Sequence, residues 1–195
     1  MMIIVRNIDS TVLYAGSNLT LSAGGATGSG WRDDNTTSNN ASVIDVTNLP
    51  AGWTGGVWNY INGAWGIADT AAYNKIQQGL AAVQAQSTFQ SLVSGGIILT
   101  STGTPALNAT YSTTDTAQKN VSGVVTGIAA GLGFPGGGTT FQYLDASNVP
   151  HSFDASHFTA FAAALRNFVY NCEITLATIQ NGGTATFPSN LVTIA

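Results

Sequence analysis

The sequence predicts an α+β fold: a small antiparallel β domain, a connecting helix, then a module of hairpins and helices. Three stretches carry that expectation. Phe158, Phe161, Ala162, Leu165, Phe168, Val169, Cys172 and Leu176 fall at the i, i+3, i+4, i+7 spacing of one buried helical face. Two aromatic-bearing runs, GGVWNYI and AWGIAD, flank Asn62-Gly63, the dipeptide that best tolerates the positive φ angles of a type I′ hairpin turn. MIIVRNI and TVLYAG, rich in branched and aromatic residues, sit on either side of Asp9-Ser10 and read as a first hairpin.

In chain order, residues 1–68 form the β-rich part. NLTLSA adds a third strand by alternation, and Gly24 to Ala41 has the composition of a long exposed loop. Trp31 is out of place in so polar a segment and either anchors the loop or makes a contact. Val43 to Val46 reads as another strand. Asp69 is placed to cap a helix over 69–94, with Tyr73, Ile76, Leu80 and Val83 at coiled-coil spacing until Ser87 and Gln90 fall on the seam. That helix either packs on its own chain or forms a short oligomerising seam. Gly95-Gly96 ends it.

Residues 95–180 read as two hairpin-plus-helix units in tandem. GIILTS and ALNATY make the first hairpin, and Asp115 caps its helix, with Gln118 positioned to close a capping box. After the linker GLGFPGGG, TTFQYL, the turn DASN and Val149 to Phe153 repeat the pattern, and Asp154 caps the long helix. Phe153 and Phe158 suit a hydrophobic staple across that cap. Residues 181–195 are expected to be an extended C-terminal tail.

Composition narrows the function. The 44% of apolar residues can build a core, yet only 14 of 195 residues are charged, five Lys or Arg and nine Asp or Glu. Free-standing soluble surfaces carry far more, so the low charge suits a protein covered by neighbours or a neutral, well-hydrated surface. Few cations and a net charge of −4 argue against nucleic acid, which needs clustered Lys and Arg. They also remove attraction to anionic lipid, and no apolar run is long enough for a membrane span. The first residues lack the cationic lead and cleavage site of a signal peptide, so synthesis in the cytoplasm is expected. A single cysteine, Cys172, excludes an internal disulfide and reads as a buried thiol.

No stretch announces a chemistry. GLGFPGGG lacks the Lys-Ser/Thr pair and following helix of a phosphate loop. His151, Asp154 and His157 invite a metal, but Asp154 is assigned to the cap and His151 to a strand pointing elsewhere. No nucleophile elbow surrounds any serine, and Glu173, the one glutamate, has no opposed carboxylate. The expectation is a non-enzyme with no cofactor and no metal. Trp31, Trp53, Trp58, Tyr60 and Trp65 are the candidate interaction residues: exposed, they could stack on sugars; buried, they fill the core of a small domain. Asp69, Asp115 and Asp154 are structural caps.

Gly95-Gly96-Ile97, the T-D-x-x-Q run Thr114 to Gln118, the second hairpin, and the F-x-x-F-A-x-A-L run Phe158 to Leu165 follow one another over about residues 96–179. This order resembles an uncharacterised domain family found toward the C-terminus of bacteriophage tail proteins. Members of that family are richer in charge and carry a Trp ahead of the second hairpin, where this chain has Phe141. The resemblance implies a virion component with no catalytic residues: a tail fibre-anchoring, adaptor or tail-tip subunit acting by protein–protein assembly. Other virion proteins would be its partners, and a homo-oligomer, a trimer for a fibre, is expected. The alternatives are a capsid decoration protein, or a tail module binding a receptor or host-surface glycan through its tryptophans.

Overall fold

The computed structural model describes all 195 residues, which divide into two compact units, Met1–Gly79 and Leu80–Ala195. Three helices and several small, mostly antiparallel sheets give the α+β class.

In the first unit, β1 (Met2–Arg6) pairs antiparallel with β2 (Val12–Gly16). Ser10 takes the positive φ of the turn, 58°, and Asp9 accepts the Thr11 amide at 3.1 Å. Next come β3 (Thr20–Ser22), β4 (Gly25–Gly28) and β5 (Trp31–Asp33), which form their own three-stranded sheet in that order. The segment expected to be a long loop therefore contains two strands. Its glycines and threonines do not alternate with apolar residues, so the period that marks a strand is missing from the sequence.

β6 (Ala41–Asp45) joins the other side of β1, giving the order β2-β1-β6. β1 is central, and both its faces are buried. Ile3 and Val5 pack with Val12 and Val46 on one side, while Ile4 packs with Leu19, Ala26 and Ala41 on the other. The unbroken run Ile3-Ile4-Val5 follows from this, because a strand covered on both faces has no polar position. β7 (Trp58–Ile61) and β8 (Ala64–Ile67) form the Asn62-Gly63 hairpin, with φ of 52° and 85° at the turn.

The helix α1 (Thr70–Gly95) is capped by Asp69, whose carboxylate accepts the Ala72 amide at 3.0 Å. The division between the units falls inside α1, not at either of its ends.

In the second unit, β9 (Ile97–Ser101) and β10 (Ala109–Tyr111) pair antiparallel around a single 3-10 turn at Pro105–Leu107. α2 (Asp115–Ala129) follows, then the hairpin of β11 (Thr140–Leu144) and β12 (Pro150–Asp154), then α3 (Ala155–Gln180). The expected C-terminal tail includes β13 (Leu191–Ile194), which runs parallel to β9 and completes the sheet β10-β9-β13. Ile194 from this strand is buried in the core. Four residues of modest β pattern gain their order from the waiting edge of β9, a long-range effect the local sequence does not show.

The start of α3 is as expected, and that of α2 differs. At α3, Asp154 accepts the His157 amide at 2.8 Å, and Phe153 meets Phe158 edge-on at 5.6 Å, so both cap and staple form. At α2 the capping side chain is that of Thr114, which accepts from Ala117; Asp115 lies one residue inside the helix. Gln118 donates to the Thr113 carbonyl and closes no capping box. Threonine and aspartate both cap well, and adjacent in sequence they leave the choice to the chain direction entering the helix.

The core of the second unit is aromatic. Tyr111, Phe153, Phe158 and Phe161 are fully buried and pack with Phe134, Phe141 and Tyr143 at centroid distances of 4.9–6.4 Å. Phe134 lies in the linker GLGFPGGG, which is therefore pinned at its middle, 4% exposed.

The cap geometry gives an ordered set of expected losses. Asp154→Ala and Thr114→Ala should each cost about 1 kcal/mol and Asp115→Ala only a few tenths, roughly. Phe158→Ala should cost about 3–5 kcal/mol. Urea unfolding of the four variants checks the order; Asp115→Ala matching Thr114→Ala would contradict the assigned cap.

Candidate functional site

The aromatic residues of the first unit are packed rather than displayed, and none of the four tryptophans is exposed. Trp31 stacks on Tyr14 at 4.3 Å, and Gly28 lies beneath its indole, where a Cβ would strike the ring. The Tyr14 hydroxyl donates to Asp33 at 2.8 Å and fixes the other side of the stack. Trp31 thus anchors its strand. Trp53, Tyr60 and Trp65 cover the Ile3–Val12 face of the sheet, with Tyr60 and Trp65 edge-on across the hairpin at 5.0 Å. Trp58 is 8% exposed and meets Tyr73 of α1 edge-on at 5.2 Å. Of the two readings the sequence leaves open for these tryptophans, the packed one is found: with only small strands to draw on, this domain fills its volume with indoles. The buried indole N–H groups of Trp53 and Trp58 have no acceptor.

The His–Asp cluster of the second unit separates into two pairs. His151, on β12, places Nδ1 2.7 Å from the Ala106 carbonyl and Nε2 3.2 Å from Asp145. His157 places Nδ1 2.8 Å from the cap carboxylate of Asp154 and Nε2 3.3 Å from the Thr104 hydroxyl. The two histidines therefore hold the same turn, at Thr104 and Ala106, and they do so from different elements. No group of three metal-ligating side chains converges anywhere in the chain. Cys172 is fully buried in the core, and burial, then Glu173, push its thiol up from the usual range.

What the structure does expose is apolar. On α1 Ala85 is buried, Phe89 and Leu92 pack on the core and Gln86 accepts from Gln180 of α3, but the face carrying Leu80, 50% exposed, and Val83, 72% exposed, is open. On α3, Tyr170 and Ile174 are also exposed. A groove of about 740 Å³ runs between α2 and α3, floored by Val121, Val125, Ala162 and Leu165 and rimmed by Lys119 and Arg166. Ala162 and Leu165 already fall on the periodic buried face of α3, whereas the exposed α3 positions lie off it. Their signal is a second row of α3, Arg166, Tyr170, Glu173 and Ile174, offset from the buried one. No helix is long and apolar enough to cross a membrane.

Four aspartates have carboxyls held below the usual range, Asp9 and Asp33 in the first unit and Asp145 and Asp154 in the second, and the last two tie the stability of the second unit to pH. The His157 amide and then its imidazole hold Asp154 below the usual carboxylate range, and the Val149 amide with His151 does the same for Asp145. A carboxylate lowered in the folded state contributes stability that is complete above its unfolded value, about 3.9, and is lost as pH falls through the folded one. The urea midpoint should therefore hold from pH 7 to about pH 5 and fall below about pH 4. Asp145→Asn with Asp154→Asn should reduce the fall, since an Asn side-chain oxygen can still accept the His157 amide at the helix start and the Ser147 and Val149 amides in the turn. An unchanged acid slope in the double variant would count against these pairs.

A family model described as a domain of unknown function (DUF4376) matches residues 80–181. No curated protein and no solved structure matches the chain. The matched segment spans more than half of the chain and takes in α2, α3, both hairpins and the groove between the helices. The chain belongs to the family of this domain of unknown function, DUF4376.

Proposed function

We propose that the protein is a structural component of a tailed bacteriophage particle, tail-associated as a fibre-anchoring, adaptor or tail-tip subunit, and that it acts by assembly with other virion proteins and without catalysis. One observation carries the assembly reading. Fourteen large apolar side chains are exposed, as many as the chain has charged residues. A surface so poor in charge and so rich in apolar side chains suits burial against neighbours, because single exposed hydrophobics are ordinary but low charge removes what keeps copies apart. The virion assignment draws on the resemblance of residues 96–179 to tail-protein domains. A capsid decoration protein shares the assembly requirement and is the second reading, supported by the same surface.

Self-association fits the exposed part of α1, where Leu80 and Val83 continue the spacing of Tyr73 and Ile76. The tryptophans offer less to a glycan, since stacking on a sugar needs an open ring face and these rings lie against protein.

Antibody raised against the protein should label assembled phage particles in electron microscopy, at the tail for the favoured reading and over the head for a decoration protein. Particles with no label at either place would sink the proposal. Three copies by native mass would favour a fibre mount, whereas two would favour an adaptor. Titration with host-surface polysaccharide should leave tryptophan fluorescence unchanged at millimolar sugar; saturable quenching would instead revive the glycan reading.

A further inference from the structure

The second unit holds only two Lys or Arg residues, Lys119 and Arg166, and both rim the groove between α2 and α3. Neither forms an ion pair, and the His–Asp contacts of this unit, His151–Asp145 and His157–Asp154, involve neither of them. Asp115, one turn before Lys119, makes no bridge to it. The groove exists because its walls carry small residues, Ser122 on α2 and Ala163 on α3, so a further helix can approach an apolar floor closely.

α3 is longer than α2, 26 residues against 15. The α3 row that forms the groove wall, Thr159, Ala163 and Arg166, continues at three- and four-residue steps to Tyr170, Glu173 and Ala177, with Ile174 beside it. Tyr170 is 59% and Ile174 50% exposed. Glu173, also exposed and unpaired, is the only glutamate in the chain. One face of α3 therefore carries, in order, a cation, an exposed aromatic, an anion and an exposed aliphatic residue. Arg166 and Glu173 are two turns apart, about 10 Å along the axis.

We infer that this face is a self-recognition surface, and that its occupant is a second copy of the chain docked antiparallel across α3. A two-fold axis passing beside Val169 and Tyr170 sets Arg166 opposite Glu173 of the partner subunit, and Glu173 opposite Arg166 of the partner subunit. The same operation brings the two Tyr170 rings together beside the axis and carries Ile174 of each copy toward the α2–α3 groove of the other, where Val121, Val125 and Leu165 form the floor. The contact is isologous, since one surface provides both halves and a single rotation closes it. Parallel docking would set like charges against each other, Arg166 on Arg166, which costs free energy. The α1 helix does not compete for the groove on charge grounds, because residues 70–95 contain no carboxylate to meet Lys119 and Arg166.

This inference deepens the assembly reading and rests on it for the expectation that the surface is covered. Sedimentation equilibrium on the full chain tests it. The native protein should dimerise in a concentration-dependent way. Arg166→Glu alone and Glu173→Arg alone should each raise the dimer Kd by about tenfold or more, and the double charge swap should restore most of the loss, because a close pair couples and the two single changes then fail to add. Circular dichroism melting checks that the variants fold, which is expected of exposed positions. A chain that stays monomeric at several hundred micromolar, roughly the range that a weak, Kd ~1 mM contact just begins to populate, overturns the inference. So does an oligomer whose mass ignores all three variants, or singles that weaken it with no rescue in the double. Each of these leaves the virion reading standing, since that one depends on particle labelling; unlabelled particles with a charge-swappable dimer would overturn the virion reading alone.

Discussion

The interlock of Phe158 with its neighbours is the constraint on which the second unit depends. Its ring is fully buried and meets Phe134, Phe141, Tyr143, Phe153 and Phe161 within 6.0 Å. Those partners come from the linker, from both strands of the second hairpin and from α3 itself, so one side chain fixes the relation of all three. Edge-on and offset rings add about 0.5–1.5 kcal/mol per pair beyond area, and they are sensitive to angle as well as distance. A linker of glycines is thereby given one fixed point, at Phe134, while the residues either side remain open.

Tyr111 extends the same cluster to the first hairpin. Its ring packs on Phe153 and Phe161, and its hydroxyl donates to the Leu107 carbonyl at 2.8 Å, so the buried phenol is satisfied. Burial, then Asp145, hold that hydroxyl well above the usual tyrosine range. His151 touches Tyr111 edge-on and bonds Asp145 and Ala106, which ties the turn after β11 to the turn after β9. In sequence the histidines invite a metal, a reading that the cap role of Asp154 already argues against. In three dimensions each spends one nitrogen on the Thr104–Ala106 turn and the other on an aspartate, Asp145 for His151 and Asp154 for His157.

Much of this was legible where local chemistry and final environment agree. The buried face of α3, its cap at Asp154, the Asn62-Gly63 hairpin and the Asp9-Ser10 turn all follow from period or turn preference, and each is found. The failures have physical causes. β13 is ordered by β9, a partner distant in sequence, while β4 and β5 pair with close neighbours but lack the apolar alternation that marks a strand, and Gly28 is required by the indole of Trp31 that lies against it. Whether a tryptophan faces water is likewise a property of what surrounds it, so Trp53, Trp58 and Trp65 could not be placed inside or outside by spacing. The division inside α1 was equally invisible, because a helix reads the same whether its two ends belong to one core or two.

The groove between α2 and α3 shows why the scarcity of charge is informative. In a chain with a normal surface, two cations beside an apolar groove would be lost among many. Here Lys119 and Arg166 are the entire positive complement of the second unit, and both stand at one place. Chance placement on this unit would leave them apart more often than together, and ion pairing within the chain would consume them; neither has happened. Low overall charge also means that little long-range repulsion opposes approach of a second copy, so a short-range match can decide the geometry. The same economy explains how a protein with five cations could associate specifically. Specificity depends on where opposite charges meet when apolar surface is buried, and one Arg–Glu pair repeated by a two-fold axis supplies that twice.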